Sequence, residues 1–414
     1  MDLTSGSWHA QPFWPIKHGL LATYPPLQED LTCDVVVIGA GITGALVAYH
    51  LAEAGVSTVV LDRRDVGMGS TSATTALLQY EIDVPLGELI DKVGENHAMR
   101  SYKVCLESIG KLEKLAGAMS EPCGFQCKKS VFLASHRRDV EMLRQEHMLR
   151  NRIGIRVDWL DKKEIEHQFG FSRPAGLLSH DAAEVDAFKF AHQLLNKAIN
   201  LNARVFDRTA VTEVEAHDGG VRVHTDRKCM VSARKVVYAA GYESLESIKQ
   251  NIASLISTFA FVSEPVPVTA LENYGLAECL IWESAHPYIY LRTVREADDQ
   301  VRIIMGGEDE PFRNPALRDK LLFRKTQTLL KKFASMFPKI PLEVAYAWAG
   351  TFAETADGLA YIGEAQDHPN AYFALGYGGN GITYSVVAAE IIRDAVLGQP
   401  NPDADLFRFD RPQL

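Results

Sequence analysis

Asp34–Asp62 reads DVVVIGAGITGALVAYHLAEAGVSTVVLD, and it parses as strand, tight turn, helix, turn, strand. Val35, Val36, Val37 and Ile38 form a short β-branched run of the kind that is buried on both faces in a central parallel strand. Gly39, Gly41 and Gly44 follow as GxGxxG. Each glycine has its own steric role, in that Gly39 makes the turn, Gly41 lets backbone approach a pyrophosphate, and Gly44 lets the helix lie close against the sheet. Ile42 and Thr43 open that helix, where unpaired N–H groups and the helix dipole favour phosphate charge. Val56–Leu61 supplies the second strand. Asp62 closes it eighteen residues after Gly44, where an acid accepts hydrogen bonds from a ribose hydroxyl pair. The bland alternative is a glycine-rich turn in an ordinary βαβ unit, and the motif alone does not separate NAD from FAD.

The 414 residues suit two domains of ordinary size. A hydrophobic fraction of 47% and a charged fraction of 23%, without an apolar run long enough to span a bilayer, describe a soluble chain with no membrane span. The net charge of −10 and the lack of a basic block argue against nucleic acid as a partner. Only Cys123 and Cys127 of the six cysteines are close together, with no further ligands at zinc spacing, so no metal is expected and a reducing compartment fits. The first thirty residues lack the basic start and apolar run of a secretory signal, so the expected location is cytoplasmic.

Beyond Asp62, the small and hydroxyl residues of Gly67–Thr75 read as a loop, followed by a helix over Leu86–Ala116. Ser130–Ser135 reads as a strand, Arg137–Arg152 as an exposed helix, Ser179–Asp186 as a turn and Ala187–Asn200 as a helix. Short strands are expected at Arg204–Glu215, Val221–Thr225 and Lys235–Tyr238, the last ending in Ala239, Ala240 and Gly241, which let backbone run close to a ligand. Thr258–Gly307 reads as β-structure, Pro315–Phe337 as a helix, and Ala371–Leu375 as a strand leading into GYGGNGIT and a final helix from Ile382 to Leu397. Gly376, Gly378, Gly379 and Gly381 bring bare backbone to that helix's N-terminus, which is suited to stabilising negative charge on a reduced flavin ring. Two glycine-rich helix starts over three hundred residues apart favour a long, extended cofactor.

Taken together, VVVIGAGITG with Asp62, HDAAEVDAFKFAHQLL, VVYAAG, ADGLAYIG and GYGGNGIT resemble the D-amino-acid oxidase/glycine oxidase/sarcosine oxidase superfamily of flavoproteins over nearly the whole chain. WAGTFAETADGLAYIG and RIIMGGEDE are most similar to its gamma-glutamylputrescine oxidase-like branch. The resemblance implies an α/β fold with a Rossmann-like FAD-binding domain of the glutathione-reductase type. It also implies a second, α+β substrate domain built on a mainly antiparallel sheet. The implied segments are 31–85, 181–250 and 344–414 for the FAD-binding domain, and 86–180 and 251–343 for the substrate domain. The implied reaction is hydride transfer from the carbon beside a neutral amine to flavin N5, giving an imine that hydrolyses, with oxygen or another acceptor reoxidising the flavin. Most of that chemistry is the cofactor's.

Carried over position by position, the resemblance implies FAD contacts at Gly39, Gly41, Ile42, Thr43, Gly44 and Asp62, with Arg63 flanking the adenine side. It places Ser70, Thr71 and Thr75 beside the pyrophosphate and ring, and Val211, Ala240 and Gly241 along the adenine wall. Gly378, Gly379, Asn380, Gly381, Ile382 and Thr383 match the ring-facing helix start. For a small amine or amino-acid substrate, Tyr288, Tyr290 and Arg292 alternate along an expected strand and project from one face. They read as an aromatic wall with a cation over the flavin, or else as an outer sheet face with its Arg in solvent. Tyr377, inside the flavin loop, is the fourth substrate-side candidate, the alternative being packing below the ring.

Two departures from relatives stand out. TSATTALL and YAWAGTFAE contain neither the Cys nor the His that tethers flavin in sarcosine-type enzymes, so the FAD is expected to be non-covalent. GTFAETADGLA places Phe352 where D-amino-acid and glycine oxidases carry an Arg for the substrate carboxylate. D-amino-acid or glycine oxidation proper, a nicotinamide-dependent dehydrogenase and a flavin-bound structural or sensor subunit are the rival readings.

Overall fold

The computed structural model describes residues 11–297 and 299–411, so part of the N-terminal stretch read above lies outside it. Helix α1 (Phe13–His18) precedes the unit β1 (Leu31–Ile38), α2 (Ile42–Glu53) and β2 (Thr58–Leu61). Short α3 (Ser70–Ala73) and β3 (Leu77–Leu78) lead to α4 (Leu86–Val93), α5 (Glu95–Gly117), β4 (Gln126–Leu133) and α6 (Val140–Arg152). Next come β5 (Val157–Asp161), α7 (Lys162–Phe169), β6 (Ala175–Glu184) and α8 (Ala187–Asn200). The strands β7 (Arg204–Phe206), β8 (Val211–His217), β9 (Gly220–Thr225) and β10 (Met230–Tyr238) follow. After them stand β11 (Ala253–Ser263), β12 (Val266–Pro267), β13 (Cys279–Glu283), β14 (Ile289–Ala297), β15 (Gln300–Pro311) and α9 (Pro315–Met336). The described chain finishes with β16 (Val344–Thr355), β17 (Tyr361–Glu364), β18 (Ala371–Leu375), α10 (Gly381–Val396) and α11 (Ala404–Phe407).

The β-branched run fills the middle of an eight-stranded sheet ordered β17-β18-β10-β1-β2-β7, with β9 hydrogen-bonded to β10 and β8 to β9. From β18 to β7 every pairing along this path is parallel. Val35 and Val37 pack with residues of α2, α5, α8 and α10 on one face, whereas Val36 packs with Val221, Val223 and Val236 on the other. This two-sided burial is why the run is uniformly apolar rather than alternating. Register pairs Ile38 with both Leu61 and Tyr238, and Tyr238 with Phe373, so the carboxyl ends of β1, β2, β10 and β18 finish along one edge. Open α/β sheets bind ligands outside that edge.

The second sheet has ten strands, ordered β16-β11-β15-β14-β13-β4-β6-β3, with β12 on β15 and β5 on β6. Its pairings are antiparallel except β13 with β4. Helix α9 covers one of its faces, burying Leu322, Leu329 and Phe333 in a core shared with Phe259, Phe261 and Met305.

Several expectations need correction. The helix over Leu86–Ala116 is broken by Gly94, whose φ of +85° interrupts it between α4 and α5. Ser179–Asp186 is mostly the end of β6 rather than a turn, because small residues there pack under neighbouring strands instead of showing alternation. The strand over Arg204–Glu215 splits into β7 and β8 around Arg208 at φ +46°, where Asp207 and Thr209 accept hydrogen bonds from the Tyr24 and Leu27 backbones. The Arg137–Arg152 helix is not wholly exposed: Arg150 is buried, bonded to Glu146 and Glu81. Sheet membership also differs from the expected segments. Strand β16 pairs with β11 in the second sheet, and α4 and α5 share the core of α2 and α10, because their apolar stripes face that core.

Candidate active site

The glycine positions of the first motif behave as their spacing requires. A Cβ at Gly39, whose φ is +106°, stands 2.6 Å from the Ala239 carbonyl oxygen, and one at Gly44 lands on the Gly39 carbonyl. Gly41 caps α2 in extended backbone, where a Cβ meets only Thr71 Oγ1, at 2.9 Å. That hydroxyl accepts from Ile42 N at 2.9 Å, which ties the loop before the ring position to the first turn of α2. Thr43 Oγ1 and Ser385 Oγ are 2.8 Å apart, joining α2 to α10.

These elements wall a cavity of about 740 Å³ at the carboxyl edge of the parallel strands. Gly39, Gly41, Ile42, Thr43, Asp62 and Arg63 line it from the first βαβ unit, with Ser70, Thr71 and Thr75 beside them. Val211, Ala240 and Gly241 line the same wall, and Gly378, Gly379, Asn380, Gly381 and Ile382 close it from the far end of the chain. Gly44 and Thr383 do not line it. Gly44 lets α2 approach the turn, and Thr383, buried behind the helix start, bonds through Oγ1 to the Gln79 carbonyl at 3.2 Å.

Asp62 Oδ2 accepts from Ala40 N at 2.7 Å and Oδ1 from Arg64 N at 2.8 Å, so the carboxylate braces the glycine turn. Burial pushes its carboxyl above the usual range against those two donors. Each oxygen retains a lone pair for a ribose hydroxyl. Arg63 and Arg64 both bond Glu243 at 2.5 Å. A glycine cradle, an acid at the second strand end and a second glycine-rich helix start fit an FAD spanning the cavity. Bound there, FAD supplies a two-electron acceptor.

The second sheet also lines the cavity. Tyr288 and Tyr290 line the cavity with ring centroids 5.7 Å apart and planes tilted by 42°. Tyr290 lies 3.3 Å from the Thr258 hydroxyl, and burial pushes its phenol up to about 12. Phe352 and Tyr377 also line the cavity, and Tyr377 stacks on Tyr384 at 5.9 Å. Arg292 is a correction. It neither lines the cavity nor meets solvent: it is 2% exposed, 3.4 Å from Glu184, 3.2 Å from the Val185 carbonyl and 5.5 Å from the Trp14 ring. Helix α1 covers that end of the sheet face, so the alternation that brings Tyr288 and Tyr290 into the cavity buries Arg292 beneath a tryptophan. No grouping of His, Cys, Asp or Glu among the described residues is suited to a metal ion.

Sequence reasoning missed two sets of residues. The indole N–H of Trp14 donates to the Thr74 carbonyl and that of Trp348 to the Ala73 carbonyl, both at 2.7 Å, so two distant tryptophans clamp the end of α3, a short helix where a loop was expected. Asp83, Asp309 and Glu354 line the cavity as well. Asp83 accepts from Gly379 N at 2.6 Å, and burial pushes its carboxyl up to about 7. Asp309 stood in the EDE triplet and Glu354 in WAGTFAETADGLAYIG, both read as marks of resemblance rather than as chemistry.

Comparison with known proteins agrees with this geometry. Glycine oxidase of Bacillus licheniformis is 28% identical over 377 residues, covering 89% of this chain and 94% of its own. Gamma-glutamylputrescine oxidoreductase of Escherichia coli is 26% identical over 416 residues, covering 97% and 91%. The crystal structure of glycine oxidase from Geobacillus kaustophilus superposes with a TM-score of 0.75 at 20% identity, covering 92% of this chain and 99% of that one. Residues 34–395 match the family described as DAO, FAD dependent oxidoreductase, and the chain belongs to that family.

Proposed function

We propose that this FAD-dependent oxidoreductase oxidises the C–N bond of a small amine or amino acid whose recognition handle lies away from the reacting carbon. The observation that carries the reading is Phe352, which lines the cavity where the resemblance to D-amino-acid and glycine oxidases places a carboxylate-binding Arg. FAD held by the Gly39–Gly44 turn, Asp62 and the Gly378–Gly381 loop would supply the two-electron oxidation of a carbon beside a neutral nitrogen, and water would hydrolyse the imine product.

The chain's own residues orient the substrate and exclude water. Tyr288, Tyr290 and Phe352 present apolar ring surface to the cavity, and burial keeps both phenols protonated, so they serve as hydrogen-bond groups rather than bases. A substrate carboxylate placed against Phe352 loses hydration without a matching donor, a cost of several kcal/mol.

The test is anaerobic flavin reduction by glycine, D-alanine and sarcosine against primary and secondary amines and gamma-glutamylated amines. An amine without an α-carboxylate is expected to give the highest kcat/KM. Glycine or D-alanine proving best sinks the reading of Phe352.

A further inference from the structure

Glu308, Asp309 and Glu310 are consecutive acids on β15, and their partners differ sharply. Glu310 pairs with Lys325 of α9 at 2.8 Å, and Glu308 pairs with Lys332 at 2.6 Å and Lys325 at 3.6 Å. Asp309 faces the cavity, which Glu310 also lines. It takes no ion pair among the described residues; the Thr258 and Tyr288 hydroxyls bond its carboxyl, while its Oδ1 is buried without a hydrogen-bond partner.

The backbone accounts for that aim. Gly307 at φ +129° and Glu308 at φ +59° sit where the register between β11 and β15 shifts. Such a bulge redirects the side chains that follow it.

The surroundings carry one sign of charge. Asp83 and Glu354 line the same cavity, and the negative charges of the three acids act on one another. No lysine among the described residues lines it, and the arginines that do are committed: Arg63 and Arg64 to Glu243, and Arg150 to Glu81 and Glu146. The Tyr288 and Tyr290 rings stand beside these acids, and aromatic faces attract cations. A carboxylate without a counter-ion in a cavity carrying one sign of charge favours a cationic ligand and disfavours an anionic one.

Resting on the reading that this cavity oxidises a C–N bond, we infer that Asp309, flanked by Asp83 and Glu354 and walled by Tyr288 and Tyr290, binds a second, remote ammonium group on the substrate. The substrate class is a diamine or polyamine: one nitrogen reacts as the neutral amine while the other stays protonated on Asp309.

The experiment uses the FAD-loaded protein and four amines of matched length that differ only at the far end: 1,4-diaminobutane, butylamine, 4-aminobutan-1-ol and 4-aminobutanoate. Anaerobic flavin reduction should favour the diamine at least tenfold over butylamine and the amino alcohol, and disfavour the amino acid most. Asp309→Asn should shrink the diamine-to-butylamine ratio at least tenfold. Glu354→Gln, at a side chain open to solvent, serves as a second variant and should shrink the ratio in the same direction. Binding is read separately by titrating the flavin spectrum with tetramethylammonium, which cannot form an imine; Asp309→Asn should weaken that perturbation. If no amine reduces the flavin, the C–N reading has failed and this inference falls with it. If butylamine or the amino alcohol matches the diamine, or both variants keep the wild-type ratio, the ammonium site alone is refuted.

Discussion

Gly41 and Gly44 stand three residues apart in one motif, yet the structure gives them separate roles, so substituting each should fail differently. An added Cβ at Gly44 falls on the Gly39 carbonyl oxygen, 2.9 Å from its carbon and 3.5 Å from Val37 Cγ1. Val37 is held in the central sheet and Gly39 in the turn directly after it, so α2 must withdraw by roughly 1.5 Å to restore ordinary contact distances. Overpacking of this kind costs about 1–3 kcal/mol, at about 2–4 °C in Tm per kcal/mol for mid-sized domains. Gly44→Ala should therefore melt several degrees below wild type even without flavin. At Gly41 the backbone is extended, and a Cβ meets only the rotatable Thr71 hydroxyl. Gly41→Val thus threatens the fold only through the Thr71–Ile42 hydrogen bond, about 0.5–1.5 kcal/mol, while its methyl groups fill the pyrophosphate path. The assay pairs thermal melting of the flavin-free proteins with FAD stoichiometry after reconstitution. Gly41→Val should melt near wild type and hold no flavin, and Gly44→Ala the reverse in emphasis. Full flavin occupancy in Gly41→Val, or an unshifted melt in Gly44→Ala, refutes the division of labour.

The remaining predictions are more compact. Acid precipitation should release FAD into the supernatant, and flavin retained in the pellet would show a covalent tether the sequence does not contain. Asp62→Ala should weaken FAD binding less than Gly41→Val, by about 1.5–3 kcal/mol for lost bonds to a charged group, measured by fluorescence titration. Arg292→Ala should lower Tm strongly while leaving the order of substrate preference unchanged, because it strips Glu184 of a buried partner, a change typically worth about 3–5 kcal/mol; a change in carboxylate selectivity would contradict its placement.

What could be read from the sequence was local. The βαβ unit and the GYGGNGIT loop announce themselves because glycine positions, strand runs and helix starts are decided within a few tens of residues. The alternation of Tyr288 and Tyr290 was equally local, and both reach the cavity. Arg292 obeys the same alternation, but its surroundings come from Trp14 and Glu184, which no local pattern links to it. Asp309 was hidden for the opposite reason. In an EDE triplet all three acids look alike, and only the lysines of α9 and the bulge at Gly307 distinguish the middle one. Strand β16 looked like part of the nucleotide-binding segment because ADGLAYIG follows it, whereas hydrogen bonding to β11 assigns it elsewhere.

The hydroxyl link between Thr43 and Ser385 has a consequence for how the protein is made. The two halves of the cofactor cradle are separated by nearly the whole span of translation between Gly39 and Gly381. A ribosome must therefore complete α10 and clear it from the exit tunnel before the second wall exists. A ligand that needs both walls therefore meets its complete cradle only once nearly the whole chain has been made.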